Sequence, residues 1–186
     1  NDQQYPKYSW VEVEVTKALD DNRIESYKPR MESITVIRAP LGGKNQWDEA
    51  KSILIPKAQK SLCELMQLRD QNISLGIFKP LSINEFYWKK ETPNWTEEER
   101  EILIQQDLFG IEKKPLEKMP YSFHYRFYCD DENCNGHDMT IIDWEIQQAY
   151  RSWLAKYGED QVLYKIKEKW MDTLCGPRAY ARLCKW

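Results

Sequence analysis

Apolar and polar residues alternate without a break over residues 10–16, with Val11, Val13 and Val15 on one side and Trp10, Glu12, Glu14 and Thr16 on the other. A period of two belongs to a strand with one buried face. Residues 20–23, Asp-Asp-Asn-Arg, read as a turn, and the β-branched run 33–37 reads as a second strand closed by 40–43. Over 50–69 the period becomes helical. Pro56 suits a first helical turn and not an interior, so the main helix is predicted to begin there. Ala58, Leu62, Leu65, Met66 and Leu68 then face the core, with Cys63 a small buried side chain beside them. Residues 75–78 and 83–88 are short strand candidates separated by Pro80. Thr96-x-x-Glu99 is a capping box opening a helix that runs to about Phe109 and stops at Gly110, with a linker over 113–120.

Residues 121–129 alternate most clearly: Phe123, Tyr125 and Phe127 share one face, and Ser122, His124, Arg126 and Tyr128 the other. After a polar loop, 144–157 is amphipathic, with Ile146, Ala149, Tyr150, Trp153 and Tyr157 inward and Gly158 as its stop. A last helix over 160–174 is expected to bury Leu163, Ile166, Trp170 and Leu174. The expected architecture is α+β. An antiparallel sheet is covered by about four helices, and a zinc-knuckle-like loop joins the last strand to the C-terminal helical pair. The expected organisation is a single domain over 1–186: sheet-rich 1–129, zinc-type loop 129–138, helical 140–186.

That loop carries the most specific chemistry. Cys129, Cys134 and His137 fall within nine residues, a soft and borderline ligand set that suits a structural Zn²⁺, which prefers four ligands. Gly136 lets the backbone turn His137 back toward the thiols. For the fourth ligand, His124 and Cys175 are the two candidates, although strand alternation sets His124 on the opposite face from Cys129. Asp143 and Glu145, just before and within a helix start, are weak catalytic candidates for binding Mg²⁺ with Lys89 or Lys90 nearby. Capping of free N–H groups is the stronger expectation for Asp143. Serine-elbow, phosphate-loop, dinucleotide-binding and zinc-protease motifs are all absent, and two His give acid–base catalysis few candidates.

Composition narrows the classes further. Net charge is −3 over 186 residues, but residues 151–186 carry eight Lys/Arg against four Asp/Glu. An anionic partner is one reading of that surplus, with Lys165, Lys169, Arg178 and Arg182 as nucleic-acid contacts. Eight Trp and eleven Tyr supply both core and stacking surface. No window approaches about 18 consecutive apolar residues, so no membrane span is expected. Five Cys at irregular spacing and a start without a signal-peptide profile point to a cytoplasmic protein with reduced thiols. The expected function is a zinc-stabilised, nucleic-acid-binding protein. Alternatives are a metal-dependent nuclease or hydrolase using Asp143 and Glu145, and a protein-interaction subunit of a larger complex.

The run from Tyr125 to Asp131 (YRFYCDD), then Cys134-x-Gly136-His137 and Asp143-Trp144-Glu145 with Tyr150 following, resembles a set of bacterial proteins. These share a C-D-D-x-x-C-x-G-H loop followed by a D-W-E helix start, and they have no assigned activity. Arg23-x-Glu25-Ser26-Tyr27 fits the same set, and residues 115–157 carry the likeness best. The resemblance implies a common fold and a shared loop, and no particular reaction.

Overall fold

The computed structural model describes residues 5–6, 9–38, 46–92, 94–105 and 117–175. The fold is mixed α+β, and its contacts divide into two compact units, Asn1–Leu81 with Cys129–Cys134 and Ser82–Tyr128 with Asn135–Trp186. In place of one sheet, the described strands form four small ones.

In the first unit the alternation at 10–16 does not make a single strand. It breaks into β1 (Trp10–Glu12) and β2 (Val15–Lys17), which pair antiparallel with β4 (Thr35–Arg38) and β3 (Tyr27–Pro29) respectively. The break at Glu14 is held by Ser33 and Arg30. Glu14 N–H donates to Ser33 Oγ at 2.9 Å, and the Arg30 guanidinium meets the Glu14 carboxylate at 2.6 Å. Two-stranded ribbons bury little, and Ala18 is the one buried residue among those described in 9–38.

A helix starting at Pro56 does not form either. α1 (Gln46–Leu54) ends in a 3-10 turn, Ile55–Lys57, and β5 (Ala58–Gln59) then pairs in parallel with β6 (Ile77–Phe78). α2 (Leu62–Gln67) starts afresh because Ser61 caps it: Ser61 Oγ accepts the Glu64 N–H at 3.0 Å, and the Glu64 carboxylate accepts the Lys60 N–H at 2.8 Å. Of the predicted apolar stripe, Leu62, Leu65 and Leu68 are half-buried, while Ala58 and Met66 are exposed.

The second unit is built on β7 (Ser82–Lys90), β8 (Tyr121–Tyr128) and β9 (His137–Thr140), antiparallel in that order. β9 was expected as loop. Its side chains are mostly exposed, and what makes it a strand is its backbone pairing with β8, from Phe127 opposite His137 to His124 opposite Thr140. α3 (Glu97–Gln105) opens on the predicted box: Thr96 Oγ1 accepts the Glu99 N–H at 3.2 Å, and Glu99 accepts the Thr96 N–H at 2.8 Å. Its expected end at Phe109 and Gly110 lies outside the described residues, as do 111–116 of the linker region and the tail beyond Cys175.

α4 (Trp144–Tyr157) and α5 (Glu159–Lys167), which continues as a π-helical stretch over Glu168–Thr173, pack their apolar sides on the sheet. Phe86, Phe123, Ile146, Ala149, Tyr150, Val162, Ile166 and Trp170 are buried together there. Each large apolar side chain so buried contributes about 1.5–3 kcal/mol. Val162 takes the place expected for Leu163, and Leu174 is left 42% exposed. A π turn holds more residues than an α turn, which moves Leu174 off the inward stripe.

Candidate metal centre

Cys129 follows directly on β8 and is 2% exposed. The next residues fold back on Asp131, whose carboxylate accepts the Asn133 N–H at 2.9 Å and whose carbonyl accepts the Cys134 N–H at 3.0 Å. This turn returns Cys134 to Cys129, and the Cys129 N–H donates to Cys134 Sγ at 3.2 Å. Gly136 has φ of +89°, a conformation that L side chains rarely adopt, and a Cβ there would meet the Tyr128 ring at 3.2 Å. It delivers His137 to the start of β9, where the imidazole packs on Phe127 with ring centres 5.3 Å apart.

The fourth donor comes from far upstream. Cys63 lies in the first turn of α2, and the preceding Leu62 N–H donates to Cys129 Sγ at 3.3 Å. The ligand atoms of Cys63, Cys129, Cys134 and His137 all lie within 4.8 Å of one another. Four donors about 2.0–2.3 Å from a common centre would sit roughly 3.5–3.8 Å apart, so the group needs only a small contraction to enclose an ion. Three sulfurs and one imidazole are donors for a soft or borderline cation, and two backbone N–H groups already point at sulfur. Burial, followed by hydrogen bonding to Cys134 and the charge of Cys129, pushes the Cys63 thiol up to about 11.

Neither expected fourth ligand belongs to this group. His124 is buried on the other face of β8. Its ring stacks on Tyr87 with centres 4.8 Å apart, with Nε2 3.0 Å from Ser122 Oγ and Nδ1 3.3 Å from Thr140 Oγ1. Desolvation, reinforced by Lys89, lowers its pKa. Cys175 donates to the Trp170 carbonyl at 3.1 Å. Cys63, which the sequence reading takes as a small buried side chain, carries one local sign of a different role: a cysteine in the first turn of a helix opened by Ser61-x-x-Glu64.

The remaining site candidates are dispersed. Asp143 is the N-cap of α4, its Oδ1 accepting the Glu145 N–H at 2.9 Å, and both carboxylates are exposed. They are in no His/Cys/Asp/Glu metal group among the described residues. Lys165 pairs with Glu168 at 2.7 Å, and Lys169 lies over the Trp170 and Trp153 rings at 4.3 and 5.5 Å. Lys89 lies over the Tyr87 ring, Lys90 is exposed, and Arg178 and Arg182 fall outside the described residues.

The profile of one family, the domain of unknown function DUF8757, matches residues 58–184. The chain belongs to that family. All four donor residues fall inside the matched stretch, whereas β1 to β4 fall in residues 1–56, which match a second domain of unknown function, DUF8758. No curated protein and no solved structure matches the chain. Among the described residues, no helix is long and apolar enough to cross a membrane.

Proposed function

We propose that this protein is a zinc-stabilised, non-catalytic binding module of the cytoplasm that associates with nucleic acid. The observation that carries the reading is the convergence of Cys63, Cys129, Cys134 and His137. Four protein donors fill the coordination that zinc prefers, which is the mark of a structural site and not of one that keeps a place for water. Reduced thiols at such a site suit a reducing compartment.

The nucleic-acid part rests on the basic C-terminal segment. Within 151–175 five Lys/Arg face four Asp/Glu, so most of the surplus comes from Arg178, Arg182 and Lys185. Exposed Trp144 and Tyr164 on α4 and α5 add rings of the kind on which bases stack. The hydrolase alternative draws less support, because Asp143 is engaged as a helix cap.

Two measurements test the reading. Elemental analysis of protein purified without chelator should give about one zinc per chain, lost in Cys63→Ser and in Cys134→Ser. Binding to single-stranded oligonucleotides should weaken steeply with added salt and on Arg178→Ala/Arg182→Ala. Metal-free wild-type protein sinks the zinc part. Salt-independent or absent oligonucleotide binding sinks the other and turns attention to a protein partner.

A further inference from the structure

The three thiols of the cluster are not equivalent, and the difference suggests a regulation of the site. Cys129 is 2% exposed, whereas Cys63 and Cys134 are only half-buried. All three sulfurs lie within 4.8 Å of one another, close enough for a pair to join after a small movement. Cys134 Sγ also accepts the Cys129 N–H at 3.2 Å, and Cys134 sits on a turn between Asp131 and Gly136.

Resting on the zinc reading above, we propose that the cluster is a redox-sensitive clasp in which a peroxide links Cys63 to Cys134 and so dismantles the metal site. The Cys134 thiolate attacks one peroxide oxygen, the O–O bond breaks, and hydroxide leaves, giving a sulfenic acid on Cys134. The Cys63 thiolate then attacks that sulfur, the S–S bond forms, and a second hydroxide leaves. Two electrons pass from the two thiolates to one peroxide, and two protons from solvent convert the hydroxides to water. Only Cys129 and His137 then remain of the four donors, too few to hold the ion firmly.

The consequence for the fold is specific to these positions. Cys63 is on α2 and Cys134 in the loop after β8, so the disulfide closes the same long stretch of chain that the metal closes. One cross-link replaces another, and oxidation removes zinc without freeing α2 from the loop. A disulfide between Cys129 and Cys134 would lack this property, because it would leave Cys63 unattached.

The experiment uses the full chain and a Cys175→Ser/Cys184→Ser variant, which keeps only the three clustered thiols. Zinc is measured first in the reduced protein. Each protein is then titrated with hydrogen peroxide while released zinc is read with a chromogenic chelator and disulfides are mapped by non-reducing peptide mass spectrometry. The expected result is one zinc released per disulfide formed, with Cys63–Cys134 as the pair and full recovery on adding a thiol reductant and zinc. Zinc retained under peroxide, a pair that includes Cys129, or sulfinic acids without a disulfide would each overturn the proposal while leaving the zinc reading intact. Reduced wild-type protein without zinc would instead overturn the zinc reading, and the coupled release with it.

Discussion

In the unit built on β7, β8, β9, α4 and α5, eight side chains from Phe86 to Trp170 are buried against one another. Among the described residues of the other unit, only Ala18, Ser61 and Cys129 are buried. The first case follows from a sheet with one face covered by two amphipathic helices. The second has three two-stranded sheets and short helices, elements too small to enclose a core. Its surface ion pairs, such as Arg30 with Glu14 and Arg38 with Glu49, are exposed and contribute little. What remains on the needed scale is a cross-link, and a metal ion held as proposed by the cysteine–histidine cluster would tie α2 to Cys129 and Cys134. One unit is therefore read as held by burial and the other by ligation.

The largest effect should come from breaking that ligation. Cys129→Ser, or chelation of the wild type, is expected to abolish amide-exchange protection in α2, β5 and β6 while β8, α4 and α5 stay protected. Loss of protection throughout the chain at once would show that the contrast is false. The converse change is Phe123→Ala, which removes a ring that is 1% exposed from the second unit. A cost of about 3–5 kcal/mol is expected in denaturant unfolding followed by that unit's probes, with metal content of the native protein unchanged.

The contrast also explains what was legible in the sequence. β8 and α4 could be read because a period of two and a period of 3.6 record which side chains face the core. The Thr96 and Asp143 caps could be read because capping is local. β1 and β2 carry an alternation that nothing enforces by burial, so one predicted strand proved to be two. β9 is a strand through pairing alone. Three members of the cysteine–histidine cluster lie within nine residues and are legible as a group in the sequence, whereas Cys63 is brought in by tertiary structure. The Ser61-x-x-Glu64 box beside it is local, and it marks a helix start after Pro56 with Cys63 in the first turn.

A smaller effect separates structure from catalysis in the well-packed unit. Asp143→Ala removes the α4 cap and should destabilise by about 1 kcal/mol, with Asp143→Asn recovering most of the loss because the amide oxygen still accepts the Glu145 N–H. Thermal denaturation of the three proteins checks this. Unchanged stability, together with loss of a Mg²⁺-dependent activity, would restore the hydrolase alternative.

The subtlest test is a slope with pH. His124 sits under Tyr87, between Ser122 and Thr140, with Lys89, Arg126, Asp138 and Glu91 as its charged surroundings, and desolvation leads the causes that lower its pKa. The folded protein therefore holds this ring neutral at a pH where the unfolded chain, titrating near about 6.5, already binds a proton. Stability rises with pH wherever the unfolded state binds more protons, so His124 destabilises progressively as pH falls below about 6.5. The loss stops once pH is below the folded pKa as well. His124→Gln should flatten that part of the profile at saturating zinc, followed through exchange of β8 amides so that acid effects on the thiols are kept apart. An equal slope in both proteins would mean that the ring gains its proton without cost, and that its partners Ser122 and Thr140 accommodate the charged form.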